Sequence, residues 1–218
     1  MLFRSPMKYF GLLGLAAVFS VLGVPAFAQN RMPEIPSDKL SDAQKKALEQ
    51  FASKRGAPPI RGPFLALLRS PDVMTPAEML GEYLQFKTVL PPKLREFVIL
   101  ITARQWTQDT EWNSHVNIAV KDGLSLEIAK ALAAGQRPPG MADDEAAAYD
   151  FCDELHRNQS VSDATYAKAL AKFGEQGVVD IVSVNGYYTW FAMIMNSVRA
   201  TPFTPIPGMP TLAAFPRQ

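Results

Sequence analysis

Apolar positions between residues 41 and 200 recur three and four apart, the period of one helix face, and no alternating stretch of useful length interrupts them. The pattern predicts an all-α domain. Most helices carry a start and a stop signal. Ser41 with Gln44 three residues on predicts a capping box opening a helix that Gly56 closes. Pro58, Pro59 and Pro63 read as a loop. Thr75-Pro76 with Glu78 predicts the cap and first position of a second helix. Pro91-Pro92 opens a third. Its segment FVILITA, residues 97–103, is apolar on every side, so this helix is expected to be buried all round.

Thr110 is expected to cap the next helix, closed by Gly123, and Ser125 the one after it, closed by Gly135. Asp143 and Ser162 start two more, the second closed by Gly174. Residues 176–200 form a long apolar helix containing Gly186 and ended by Thr201-Pro202. Residues 201–218 carry five prolines. That tail is expected to be extended, either lying on a surface of its own chain or of a partner subunit, or disordered.

The N-terminus changes the picture of where the domain works. Arg4 and Lys8 precede an uncharged apolar run over residues 9–24, and Pro25 and Ala26-Phe27-Ala28 follow it. This is the layout of a cleaved secretory signal peptide. The run falls short of the ~20 residues that span a bilayer, although an uncleaved anchor is the alternative. The chain thus divides into a signal peptide (1–28), an extension with one short helix (29–62), a helical domain (63–201) and a proline-rich tail (202–218). The expected location is the periplasm or outside the cell, with no stable membrane anchor after cleavage.

Composition excludes several chemistries. The 218 residues hold 22 basic and 21 acidic side chains, a net charge of +1 that gives no footprint for nucleic acid. Loss of Arg4 and Lys8 turns it to −1. A lone cysteine, Cys152, rules out an internal disulfide and a CxxC pair. Two histidines leave little for a metal centre, and no Gly-rich nucleotide loop is present, so neither metal nor cofactor is expected.

Glu111 and His115 lie four apart on a predicted helix and share one face. A carboxylate beside an imidazole can hold it charged or set its tautomer for proton transfer, or the two can be a solvated pair. Glu96 directly precedes the most apolar run of the mature chain. A carboxylate buried there needs a partner. It either points out towards Arg95 or Arg104, or faces a pocket shared with Glu111 and His115. The second arrangement is equipment for acid–base catalysis on a carbon acid or enol.

Other residues have plainer readings. His156 suits a cation at a helix C-terminus, and Cys152 a small core residue. Trp106 and Trp112 can wall a pocket or pack in the core. Tyr187, Tyr188 and Trp190 read first as core or interface, and a tyrosine hydroxyl reaching the site is the alternative. Arg95, Arg104 and Arg199 are candidates for holding a substrate carboxylate.

Leu94-Arg95-Glu96, then Glu111-Trp112 with His115, then Ala119 through Gly123-Leu124-Ser125, resemble the carboxymuconolactone decarboxylase family. Asp153–Leu155, the VSDATY at residues 161–166 and Gly186-Tyr187-Tyr188 extend the resemblance over most of residues 63–202. The resemblance implies a multi-helix domain that assembles as a symmetric homo-oligomer, a trimer or its multiple. It implies catalytic roles for His115, Glu111 and Glu96. One branch of the family consists of alkyl-hydroperoxide-reductase partners with a CxxC pair, a glutamate and a histidine. On that pattern Glu96 and His115 keep their positions, while Gln108 and Glu111 stand where the cysteines would be. Neither forms a thiolate, which disfavours peroxidase chemistry. The expectation is a carbon–carbon lyase or enol proton-transfer enzyme for a small carboxylated or enolisable molecule. Two rivals are a non-catalytic helical binding or assembly module and a thiol-independent oxidoreductase with a supplied cofactor.

Overall fold

The structure is a computed structural model that describes residues 30–55 and 60–214. The expected signal peptide, Gly56, Pro58 and Pro59 lie outside the described residues. Among the described residues there are eight α-helices and no strand. A 3-10 turn, Ser37–Lys39, precedes α1 (Asp42–Arg55). The Ser41–Gln44 capping box forms as expected. Gln44 N donates to Ser41 Oγ at 3.2 Å, and Ser41 N donates to Gln44 Oε1 at 3.0 Å.

The proline-rich approach contains a short helix, α2 (Pro63–Leu67), where a loop is expected. Pro63 enters at its first position, after Gly62. Helix α3 (Pro71–Phe86) starts one turn earlier than the Thr75-Pro76 signal. Pro71 takes the N-terminal place and Pro76 sits inside the helix. Thr75 Oγ1 donates to Gln50 Oε1 at 3.2 Å, so that threonine ties α3 to α1 instead of capping.

Helix α4 (Pro92–Gln105) is the centre of the molecule. Phe97, Val98, Ile99 and Leu100 are fully buried on every side. Helices α5 (Asp109–Lys121), α7 (Asp143–Asn158) and α8 (Asp163–Val198) pack round α4, with α6 (Leu126–Ala133) beside it. Burying such a side chain contributes roughly 1.5–3 kcal/mol, which is why the FVILITA run occupies the middle. The short α4–α5 connection makes these two helices an antiparallel hairpin. That hairpin fixes which residues of the two helices meet.

The cap of α5 is Gln108, whose side-chain oxygen accepts from Thr110 N at 2.7 Å, and not Thr110. Ser125 and Ser162 cap α6 and α8 as expected. At Gly174 φ is 69° and ψ 176°, so α8 is two helical segments joined by a glycine break. Helix α8 has the length and apolar character of a membrane-crossing helix, but half of its apolar window is buried within the domain. The tail over residues 201–214 is extended apart from a turn at residues 207–209 and lies on its own chain. Trp112 Nε1 donates to Pro210 O at 2.6 Å, Asn113 Nδ2 to Phe203 O at 2.7 Å, and Ala213 N to Ala133 O at 3.1 Å.

Candidate active site

The hairpin of α4 and α5 brings Glu96 against His115. Glu96 sits near the start of α4 and is fully buried. Its Oε2 lies 2.6 Å from His115 Nδ1. Its Oε1 accepts from Arg95 NH2 at 3.0 Å and Nε at 3.3 Å. On the other side of the ring, His115 Nε2 is 3.5 Å from Glu111 Oε2, one helical turn away on α5. Each imidazole nitrogen therefore faces a carboxylate. All three sequence-predicted residues meet in one string, Glu96–His115–Glu111.

Charge follows from that geometry. Burial alone would push the imidazolium down. The hydrogen bonds and charges of Glu111 and Glu96 outweigh it and raise His115 to about 9. Burial would raise Glu96, but His115 and Arg95 outweigh it and hold the carboxyl below its ordinary value. At neutral pH His115 therefore carries a proton on each imidazole nitrogen. The Tyr188 ring meets His115 edge-on, with centroids 5.2 Å apart and planes at 88°. Burial, and then the Glu111 and Glu96 charges, hold its phenol well above the ordinary tyrosine value, so it stays protonated.

The string opens on a cavity of about 650 Å³. Glu111, Ser114 and His115 form its floor. Its walls include Phe51 of α1, Phe64 of α2, and Tyr188 and Phe191 of α8. Arg61, Phe86 and Phe203 also line it. The walls thus combine the helical core with both flanking segments. Among the lining residues Glu111, His115 and Tyr188 were sequence candidates. The others carried no signal, because an aromatic on a helix face reads as core whichever cavity it borders.

Several sequence candidates lie elsewhere. Arg95 serves Glu96. Arg104 reaches the tail, donating to Ala213 O. Arg199 and Trp106 line a separate cavity of about 440 Å³ that lacks the imidazole. Trp112 is fully buried under the tail. Tyr187 donates to Ala77 O at 2.9 Å in the core. His156 does lie in the last turn of α7. It is half-buried against the neutral amide of Asn185, at 3.0 Å, and burial holds it below its ordinary value. Cys152 is a core residue, fully buried, and burial pushes its thiol up to about 12. Gln108 Nε2 donates to Asn196 Oδ1 at 2.7 Å, so this position is structural. Among the described residues no group of three His, Cys, Asp or Glu side chains is placed to hold a metal ion.

No protein-family model matches the chain, and no curated protein matches it by sequence. Solved structures share its fold. A protein of unknown function from Agrobacterium tumefaciens, assigned to antioxidant defence as an AhpD, is 19% identical with a TM-score of 0.53. The match covers 64% of this chain and 96% of that one. The debrominase Bmp8 is 10% identical with a TM-score of 0.62, over 80% of this chain and 93% of that one. A cysteine-to-alanine variant of Bmp8, in complex with 2,3,4-tribromopyrrole, matches equally well. At these identities the likeness establishes the fold, the all-α arrangement of AhpD-like and carboxymuconolactone-decarboxylase-like proteins.

Proposed function

We propose that this protein catalyses acid–base chemistry at carbon, a decarboxylation or an enol or lactone proton transfer, on a carboxylated or enolisable compound. The observation that carries the reading is the Glu96–His115–Glu111 string, whose His115 and Glu111 line a largely apolar cavity with Glu96 buried behind them. An imidazolium held between two carboxylates supplies both a proton and a fixed positive charge where an enolate develops. In a decarboxylation the carbon–carboxylate bond breaks and carbon dioxide leaves. The electron pair passes into the neighbouring carbonyl, whose oxygen faces His115. The Nε2 proton then goes to carbon, and water restores it. In a proton transfer Glu111 takes the proton from carbon and His115 stabilises the enolate. Glu96 keeps the ring charged and oriented from the Nδ1 side. Arg95 and tight burial hold Glu96 itself.

The residues present supply acid and base without a thiol. Cys152 lies in the core, and its thiol resists ionisation, which disfavours peroxidase chemistry. Bmp8 has been solved with a planar aromatic ligand. The aromatic lining here suits a flat body of the same kind. The exported location rests on the signal-like N-terminus. A homo-oligomer is supported by Val179, Val182 and Met193, which are exposed on one side of α8.

The test incubates the mature protein in heavy water with carboxylated lactones and enolisable carbonyl compounds. NMR then reads carbon-bound deuterium and loss of the carboxyl group. His115→Gln, folded as judged by circular dichroism, is expected to lose activity by at least about 100-fold. Full activity in that variant, or no deuterium uptake in any compound, refutes the reading and favours the binding-module alternative.

A further inference from the structure

The cavity over His115 shares a wall with another. A cavity of about 320 Å³, lined by Met32, Leu65, Val198 and Pro202 among others, has Arg61, Gly62 and Phe203 in common with it. The backbone between them is unusual. Gly62 has φ 58° and ψ −136°, a conformation open to glycine. A side chain there would sit 3.8 Å from Thr110 and 3.9 Å from Phe203. Asn113 holds the Phe203 backbone in place. The chain is thus threaded between the cavities so that Arg61 emerges at their junction.

Arg61 is the one lysine or arginine on either lining. Among the described residues no carboxylate pairs with it, whereas Arg95, Arg137 and Arg157 each have one. Glu111, turned to His115, is the one acidic side chain on the larger lining, and the smaller lining has none. Arg61 is exposed, so its guanidinium is free to turn to an anion that enters either cavity. Its planar fork matches a carboxylate in particular. The lining that Arg61 and His115 share also includes Phe51, Phe64 and Phe191.

We propose that the substrate is an aromatic or similarly apolar carboxylate, with its anchoring acid on the Arg61 guanidinium and its reacting carbon at His115. The proposal rests on this cavity being the site of the proton-transfer chemistry above, and it adds a second acceptor of negative charge that the catalytic string does not contain. Arg61 is a binding residue. It makes the substrate elongated, with an acidic group separate from the bond that changes.

The experiment reads binding without turnover, so it stands apart from the catalytic test. Isothermal titration of the full mature protein uses 4-biphenylcarboxylate and its neutral amide at low salt. The acid is expected to bind about tenfold or more tightly than the amide, and to weaken as salt rises. Arg61→Gln, at an exposed position, is expected to weaken the acid about tenfold and leave the amide unchanged. His115→Gln is expected to keep the acid's affinity within about twofold, since the imidazolium serves the other end of the molecule. Equal binding of acid and amide overturns the proposal. So does an acid affinity unmoved by Arg61→Gln, or no binding of either probe. An acid that depends on His115 and not on Arg61 overturns it as well, because the carboxylate then sits on the catalytic string.

Discussion

An imidazole with a carboxylate at each nitrogen is most stable when both nitrogens carry protons, and His115 is in that position. The folded ring titrates at about 9 and an unfolded one at 6.5. Its contribution to stability is therefore complete below pH 6.5 and lost as pH rises through 9. Glu96 works in the opposite sense. Its folded value is lowered, so its contribution is present above the ordinary carboxylate range and lost in acid. Stability measured by urea unfolding is expected to fall from pH 7 to pH 9.5, and Glu96→Gln is expected to flatten that slope. NMR on a His156→Ala background leaves one imidazole to follow. There Glu96→Gln and Glu111→Gln should each lower the His115 value by about one unit or more. An unmoved titration would break the string as described. The pairing of Glu111 with His115 was legible in the sequence as a spacing of four. Glu96 was legible only as a carboxylate in an apolar run that required a partner. Its neighbours left open whether that partner was an arginine or His115.

Helix ends tell a mixed story for one physical reason. Caps that act within three residues, at Ser41, Ser125 and Ser162, form as the sequence predicts because donor and acceptor are local. The starts of α3 and α5 do not. Thr75 bonds to Gln50 of another helix, and Gln108 outcompetes Thr110 by bonding both Thr110 N and Asn196. Tertiary partners decided those two. The break in α8 is local again, since the backbone at Gly174 takes angles closed to side chains. Gly174→Ala is expected to cost about 1–3 kcal/mol, although open space surrounds it. A loss under about 0.5 kcal/mol, read by thermal or urea unfolding, would mean that the break is not held by glycine.

At the scale of the whole molecule the two flanking segments close the site. Phe51 from α1 and Phe203 from the tail border the same cavity as His115, although 152 residues separate them. The tail also covers Trp112 and engages Arg104. Removing residues 202–218 is expected to lower the melting temperature and to shift tryptophan emission to the red. It should also weaken binding of apolar ligands in the cavity. Unchanged emission would show that Trp112 stays covered without the tail.

Hydrophobic periodicity, local caps and the shared helix face of Glu111 and His115 were written in the chain, because each depends on contacts a few residues long or on a burial pattern with one sensible helical solution. The central position of α4 followed from its lack of a polar face. Which aromatic faces border a cavity, which arginine lines it and which partner neutralises a buried acid depend on how helices distant in sequence are turned against one another. Arg61 and Phe203 have no sequence signal for that reason. A fold-wide packing arrangement brings them to the site, and the same arrangement sends Arg104, Arg199 and His156 away from it.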